Sequence, residues 1–261
     1  MGGRKGVKAS RSASERAIAR NQTPLPAPSP SARPLREDLV RALALEAYAA
    51  IRDEGRVADR TLDFLLRRER RLYSRERRAV AEAVYGMLRA EGHLLWLLER
   101  GLGAELLARL GRPAQQALLY QAWRVLELGV PPARALAEGG LSPTLLLGLS
   151  ACAAPDAHLE RLADDPVRRL AVEQSLPQWM AQLFVDQLGE AEAFALASAM
   201  NERAPLTLRA NRLAITREAL IERLEAEGVP ARPTPYSPDG VVVEGDRKGT
   251  RLNSSHLGIS Y

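Results

Sequence analysis

The chain has 261 residues, 46% of them hydrophobic and 5% aromatic, with a formal net charge of +5. That length buries a real core in one large domain or two modest ones, which excludes a wholly disordered chain. A single cysteine, Cys152, excludes an internal disulfide framework, and no apolar run approaches the roughly 18 residues of a membrane span. The N-terminus also lacks the apolar centre of a secretory signal.

The charge is unevenly spread. Through Arg36, eight basic residues face Glu15 alone, a net of +7, and Asp246 to Tyr261 carries three basic residues against one acid, a net of +2. Residues 37–245 are left at −4, so the basic total says little about nucleic-acid binding by the body.

Residues 1–36 include Pro24, Pro26, Pro28, Pro30 and Pro34, spaced too closely for a helix or central strand. They read as a disordered basic lead-in, either a solvated tail or a weak electrostatic arm for RNA. From Glu37, Val40, Ala44, Ala47, Tyr48 and Ile51 recur at helical spacing and predict a helix ending near Gly55. Further helices are predicted over ADRTLDFLLRRE, from Ser74 through Leu88, over HLLWLLERGLG, and over AQQALLYQAWRVLELG before the Pro131-Pro132 turn. Together they form an all-helical bundle with short connections. Leu141 to Asp165, rich in small residues, reads as further short helices. A helix is expected from Leu176 to Asn201, with Trp179, Leu183, Phe184 and Leu188 along one side.

After Asn201 the pattern changes. LTLRANRL alternates as a half-buried strand should, TREALIERLEAEG is a helix capped by Thr216 and stopped by Gly228, and Asp239-Gly240 turns the chain into Val241-Val242-Val243. Strand, helix, turn and strand open an α/β domain.

No internal catalytic constellation is legible. His93, His158 and His256 stand far apart without metal-ligand spacing, Cys152 sits among small apolar residues, and GLGAEL follows a helix rather than a strand. Candidate RNA contacts are Arg209, Asn211 and Arg212, on or just after one strand, and Arg217, which opens the next helix. Arg209 and Asn211 read equally as structural residues holding the strand to its turn. Arg77 and Arg78 form a second basic patch or a solvated helix face.

Leu176-Pro177 with Trp179, Asn201-Glu202-Arg203 with Pro205, Leu208-Arg209-Ala210-Asn211, the helix after Thr216, and Tyr236-Ser237-Pro238-Asp239-Gly240 follow in order. This succession resembles the junction region of Sun-type, RsmB-like bacterial methyltransferases, which modify carbon 5 of cytosine in small-subunit ribosomal RNA. Family members more often carry Val where Ala210 stands. The preceding helices resemble the family's NusB-like RNA-binding domain, except that no VNAVLR-like helix stands between Gly139 and Asp165.

The resemblance implies a mainly α fold: a NusB-like bundle over 37–170, linking helices over 171–203, and over 204–245 the incomplete start of an α/β RNA-binding subdomain. It implies S-adenosylmethionine as the cofactor of the full-length family, two catalytic cysteines, and a doubly wound catalytic domain of on the order of 150 further residues, which this chain lacks. The expectation is an inactive N-terminal portion that binds no cofactor or metal, retains small-subunit rRNA binding, and is monomeric, cytoplasmic and free of the membrane. The alternative is a stand-alone NusB-like RNA-binding or antitermination-type module. Residues 246–261, DRKGTRLNSSHLGISY, resemble the translated read-through of a sequencing-library adapter. They are excluded from functional reasoning.

Overall fold

A computed structural model describes residues 34–202 and 204–243, with the backbone of 259–260. The lead-in through residue 33, Arg203 and, apart from that backbone pair, the adapter-like segment lie outside the described residues. Within them the fold is mainly helical, with twelve α-helices and one small sheet. The chain divides into two compact units, one through Gly86 and one from Met87.

The first unit contains α1 (Glu37–Arg52), α2 (Ala58–Arg68) and the first turns of α3 (Ser74–Leu102). The predicted stripe of α1 is its buried face: Val40, Leu43, Ala44, Ala47 and Tyr48 are all buried, as are Leu62 and Leu65 on α2 and Val80, Ala83 and Val84 on α3. Arg36 anchors the entry to α1. Its Nε and a terminal nitrogen donate to the two carboxylate oxygens of buried Glu76 at 2.6 and 2.8 Å, and the Tyr73 N–H donates to the same carboxylate at 2.8 Å. The Arg36 hydrogen bond leads in holding the Glu76 carboxyl down to about 2.

In the second unit, α3 continues to Leu102 as one helix where the sequence predicts two. Neither Gly86 nor Gly92 interrupts it, since a lone glycine costs only about 1 kcal/mol in a helix that packing holds. Gly101 instead allows a close approach, since a Cβ there would lie 2.5 Å from the Leu147 carbonyl oxygen.

After α4 (Ala104–Arg109) comes the central α5 (Arg112–Leu128), which buries Leu118, Leu119, Ala122 and Val125 and packs on α6 (Pro132–Gly139) and α7 (Leu146–Ala153). Gly129 ends α5 in the left-handed region at φ 64°. The predicted short helices between Leu141 and Asp165 are two 3-10 turns, α7 and α8 (Pro155–Leu159).

The helix predicted over Leu176–Asn201 breaks at Gly189, φ 76°, into α10 (Gln178–Leu188) and α11 (Glu190–Asn201). Buried Ala181, Ala193 and Ala197 join them to Leu170 of α9 (Pro166–Glu173). Alanines bring the three helices close, so α10 turns its small side inward and leaves Trp179 65% exposed.

The sheet follows: β1 (Leu206–Ala210), α12 (Arg217–Ala226), β2 (Ala231–Pro233), β3 (Gly240–Val243) and β4 (Ile259–Ser260), in spatial order β2-β3-β1-β4. All neighbours are antiparallel. β1 and β2 therefore run parallel with β3 between them, a split β-α-β unit. Leu208, Ala210, Val241 and Val243 meet Leu220, Leu224 and Val229 in one core. Among the described residues no helix is long and apolar enough to cross a membrane.

Candidate nucleic-acid interface

Alternation along β1 sends Leu208 and Ala210 towards α12, and Thr207 and Arg209 to the opposite face. The register sets Arg232, Val242 and Thr207 in a row across three strands on that opposite face, with Val242 buried and the two flanking residues exposed, and sets Arg209 opposite Gly240. Arg209 is exposed, with no side chain across from it on β3. Among the described residues it makes no ion pair.

Just beyond β1 the chain turns. The Asn211 side-chain oxygen accepts from Leu213 N–H at 3.2 Å, and its backbone carbonyl accepts from Ala214 and Ile215 N–H at 2.8 and 2.9 Å. The side-chain oxygen of Asn211 is thus committed to an Asx turn. Thr216 Oγ1 then caps α12 by accepting from Ala219 N–H at 3.2 Å.

The β2–β3 loop meets this turn. Asp239 O accepts from Ala210 N–H at 2.9 Å, Arg212 Nε lies 3.5 Å from an Asp239 carboxylate oxygen, and Arg217 donates to Ser237 O at 3.4 Å. The four residues predicted as RNA contacts therefore come together at one end of the sheet. Arg209 stands on the sheet, Asn211 forms the turn, and Arg212 and Arg217 brace the facing loop.

Their electrostatics differ. Arg217 also pairs with Glu218 at 2.9 Å, and the Glu218 carboxyl is lowered first by its own backbone N–H and then by Arg217. This pair and that of Arg212 with Asp239 each have one partner largely open to solvent, which screens them.

Other sequence candidates are held elsewhere. Arg77 donates to the backbone oxygens of Leu66 and Leu72, stapling the first unit, and Arg78 pairs with Glu82 at 2.8 Å along α3. Cys152 is buried, and burial pushes its thiol up to about 12.

Two buried polar features were not legible in sequence. Arg124 reaches Gln121 at 2.9 Å and Glu138 at 2.7 Å, linking α5 to α6. His93 is 9% exposed, and its Nε2 has no partner. Both lie on helix positions whose polar type resembles surface until neighbouring helices arrive.

Among the described residues no group of His, Cys, Asp or Glu is arranged to hold a metal ion. The Gly101–Gly103 segment ends a helix, with Leu147 and Gly148 packed against Gly101, rather than following a strand as a dinucleotide loop does.

Residues 176–248 match the family described as the Methyltr_RsmF/B-like, ferredoxin-like domain. The β-α-β-β order and the antiparallel β2-β3-β1 arrangement are those of the first part of a ferredoxin-like β-α-β-β-α-β unit. Among solved structures, the fold is similar to the crystal structure of PH0851, with a TM-score of 0.50 and 14% identity, over 85% of this chain and 52% of that one. The chain spans about half the length of PH0851, and at this identity the likeness is one of fold. No curated protein is significantly similar to it in sequence.

Proposed function

We propose that this chain is the N-terminal, RNA-binding portion of an S-adenosylmethionine-dependent ribosomal RNA cytosine-C5 methyltransferase. The observation that carries the reading is the match of residues 176–248 to the RsmF/B-like ferredoxin-like domain. The clustered arginines of that segment supply a surface suited to phosphate. In this reading, cofactor binding and methyl transfer are the work of the family's doubly wound catalytic domain. Substrate recognition is the contribution of this portion, with Arg209, Arg212 and Arg217 contacting the rRNA backbone and Asn211 shaping the turn that presents them.

Titration of a small-subunit rRNA fragment against rising salt tests the binding. Each lost phosphate contact lowers the slope of log K against log salt by about 0.7–0.9. Arg209→Ala is expected to do so, and binding by Arg209→Ala and Arg212→Ala indistinguishable from wild type would remove the site. Reading the native gene past Gly245 tests the enzyme assignment. A glycine-rich loop after a strand, followed by paired cysteines, is expected. Their absence leaves a stand-alone RNA-binding module.

A further inference from the structure

Tyr236 is 98% exposed, at the tip of the β2–β3 loop, yet that loop is tightly held. Thr234 N–H donates to Gly240 O at 2.9 Å and Gly240 N–H to Ser237 O at 3.3 Å. Thr234 Oγ1 donates to Ser237 O at 3.1 Å and accepts from Ser237 N–H at 3.3 Å. Gly240 is needed for this staple, because a Cβ there would lie 2.3 Å from Thr234 Oγ1. Pro235 and Pro238 stiffen the backbone on either side of the tyrosine. The loop is braced from outside by Arg217 and Arg212 through Ser237 and Asp239. An aromatic ring is thus held out in water on a preorganised loop that Arg212 and Arg217 brace, while Arg209 stands on β1 opposite Gly240 at the loop's end.

We propose that Tyr236 is a stacking platform for an unpaired base of single-stranded RNA, with Arg209, Arg212 and Arg217 holding the flanking phosphates. This rests on the RNA-binding reading above and adds to it the strandedness of the ligand and the residue that selects it. The chemistry follows from the two kinds of group. Guanidinium groups attract any nucleic-acid backbone, whereas a ring face engages a base only where the base is free of its own helix. Because the loop is already ordered, stacking costs little conformational entropy. A duplex offers the arginines its phosphates and leaves the ring without a partner.

The test is fluorescence anisotropy of the full chain with a fluorescein-labelled, single-stranded RNA of about ten nucleotides and with its duplex. Tyr236→Ala is expected to weaken single-strand binding by about 5- to 150-fold, with the salt slope unchanged, while Tyr236→Phe binds like wild type. Arg209→Ala reduces the salt slope by about 0.7 and acts on single strand and duplex alike. With 2-aminopurine in the single strand, quenching on binding is expected for wild type and Tyr236→Phe and lost in Tyr236→Ala. Tyr236 is exposed, so thermal midpoints of the variants should coincide with wild type. If Tyr236→Ala binds single strand as wild type does while Arg209→Ala is weakened, the platform is refuted and the RNA-binding reading stands. Wild-type affinity in Tyr236→Leu refutes the platform too, pointing instead to an apolar protein-docking residue. Failure of the wild-type chain to bind either RNA removes both.

Discussion

Acidification should destabilise the second unit through His93. Its ring lies buried on α3, donates to the Glu173 backbone carbonyl, and has an orphaned Nε2. Burial pushes its pKa from 6.5 down to about 4, against the opposing pull of Asp156 and of the Glu173 carbonyl. The folded state therefore refuses a proton that the unfolded chain accepts below about pH 6.5. Stability from this group is complete above that pH and is lost as pH falls through the window to about 4. A gap of about 2.5 pH units corresponds to about 3 kcal/mol in full, of which about 2 kcal/mol is lost by about pH 5. The assay is urea denaturation of wild type and His93→Gln at about pH 7.5 and about pH 5, followed by far-ultraviolet circular dichroism. Wild type should lose about 2 kcal/mol more than the variant, equivalent to about 4–8 °C in thermal midpoint. Equal acid sensitivity of the two proteins, or a His93 pKa above about 6 by NMR titration, would refute the reasoning.

Gly101→Ala drives a methyl group into the Leu147 carbonyl, 2.5 Å from the new Cβ, and is expected to cost about 1–3 kcal/mol in a thermal melt. Glu76→Gln removes the carboxylate that Arg36 and Tyr73 hold. Since Glu76 titrates at about 2 when folded, wild type keeps this stability above the usual carboxylate range and loses it towards pH 2. The variant should melt lower at neutral pH and show a flatter acid limb. Cys152, its thiol raised to about 12 by burial, should resist iodoacetamide in the native protein and react promptly in denaturant. Fast native labelling would show that the site opens.

Local rules made much of this protein legible. The 3.6-residue stripe of α1, the alternation of β1, the Thr216 cap and the Asp239-Gly240 turn each depend on residues a few positions apart, so the sequence alone determined those elements. It also placed Arg209, Asn211, Arg212 and Arg217 around one strand end. Other features depend on partners distant in the chain. α3 runs unbroken because packing outweighs the weak helix propensity of its glycines, and α10 turns Ala181 inward because α9 and α11 offer it a shallow alanine surface. Arg36 reads as the end of a tail until Glu76, forty residues on, receives it. Likewise, Arg212 and Arg217 reach the loop that carries Tyr236, through Asp239 and Ser237, only because the register brings Gly240 opposite Arg209 at the end of β1. Periodicity says which side of an element is apolar. Only tertiary packing decides what that side meets, and which polar residues are brought to the same end of the sheet.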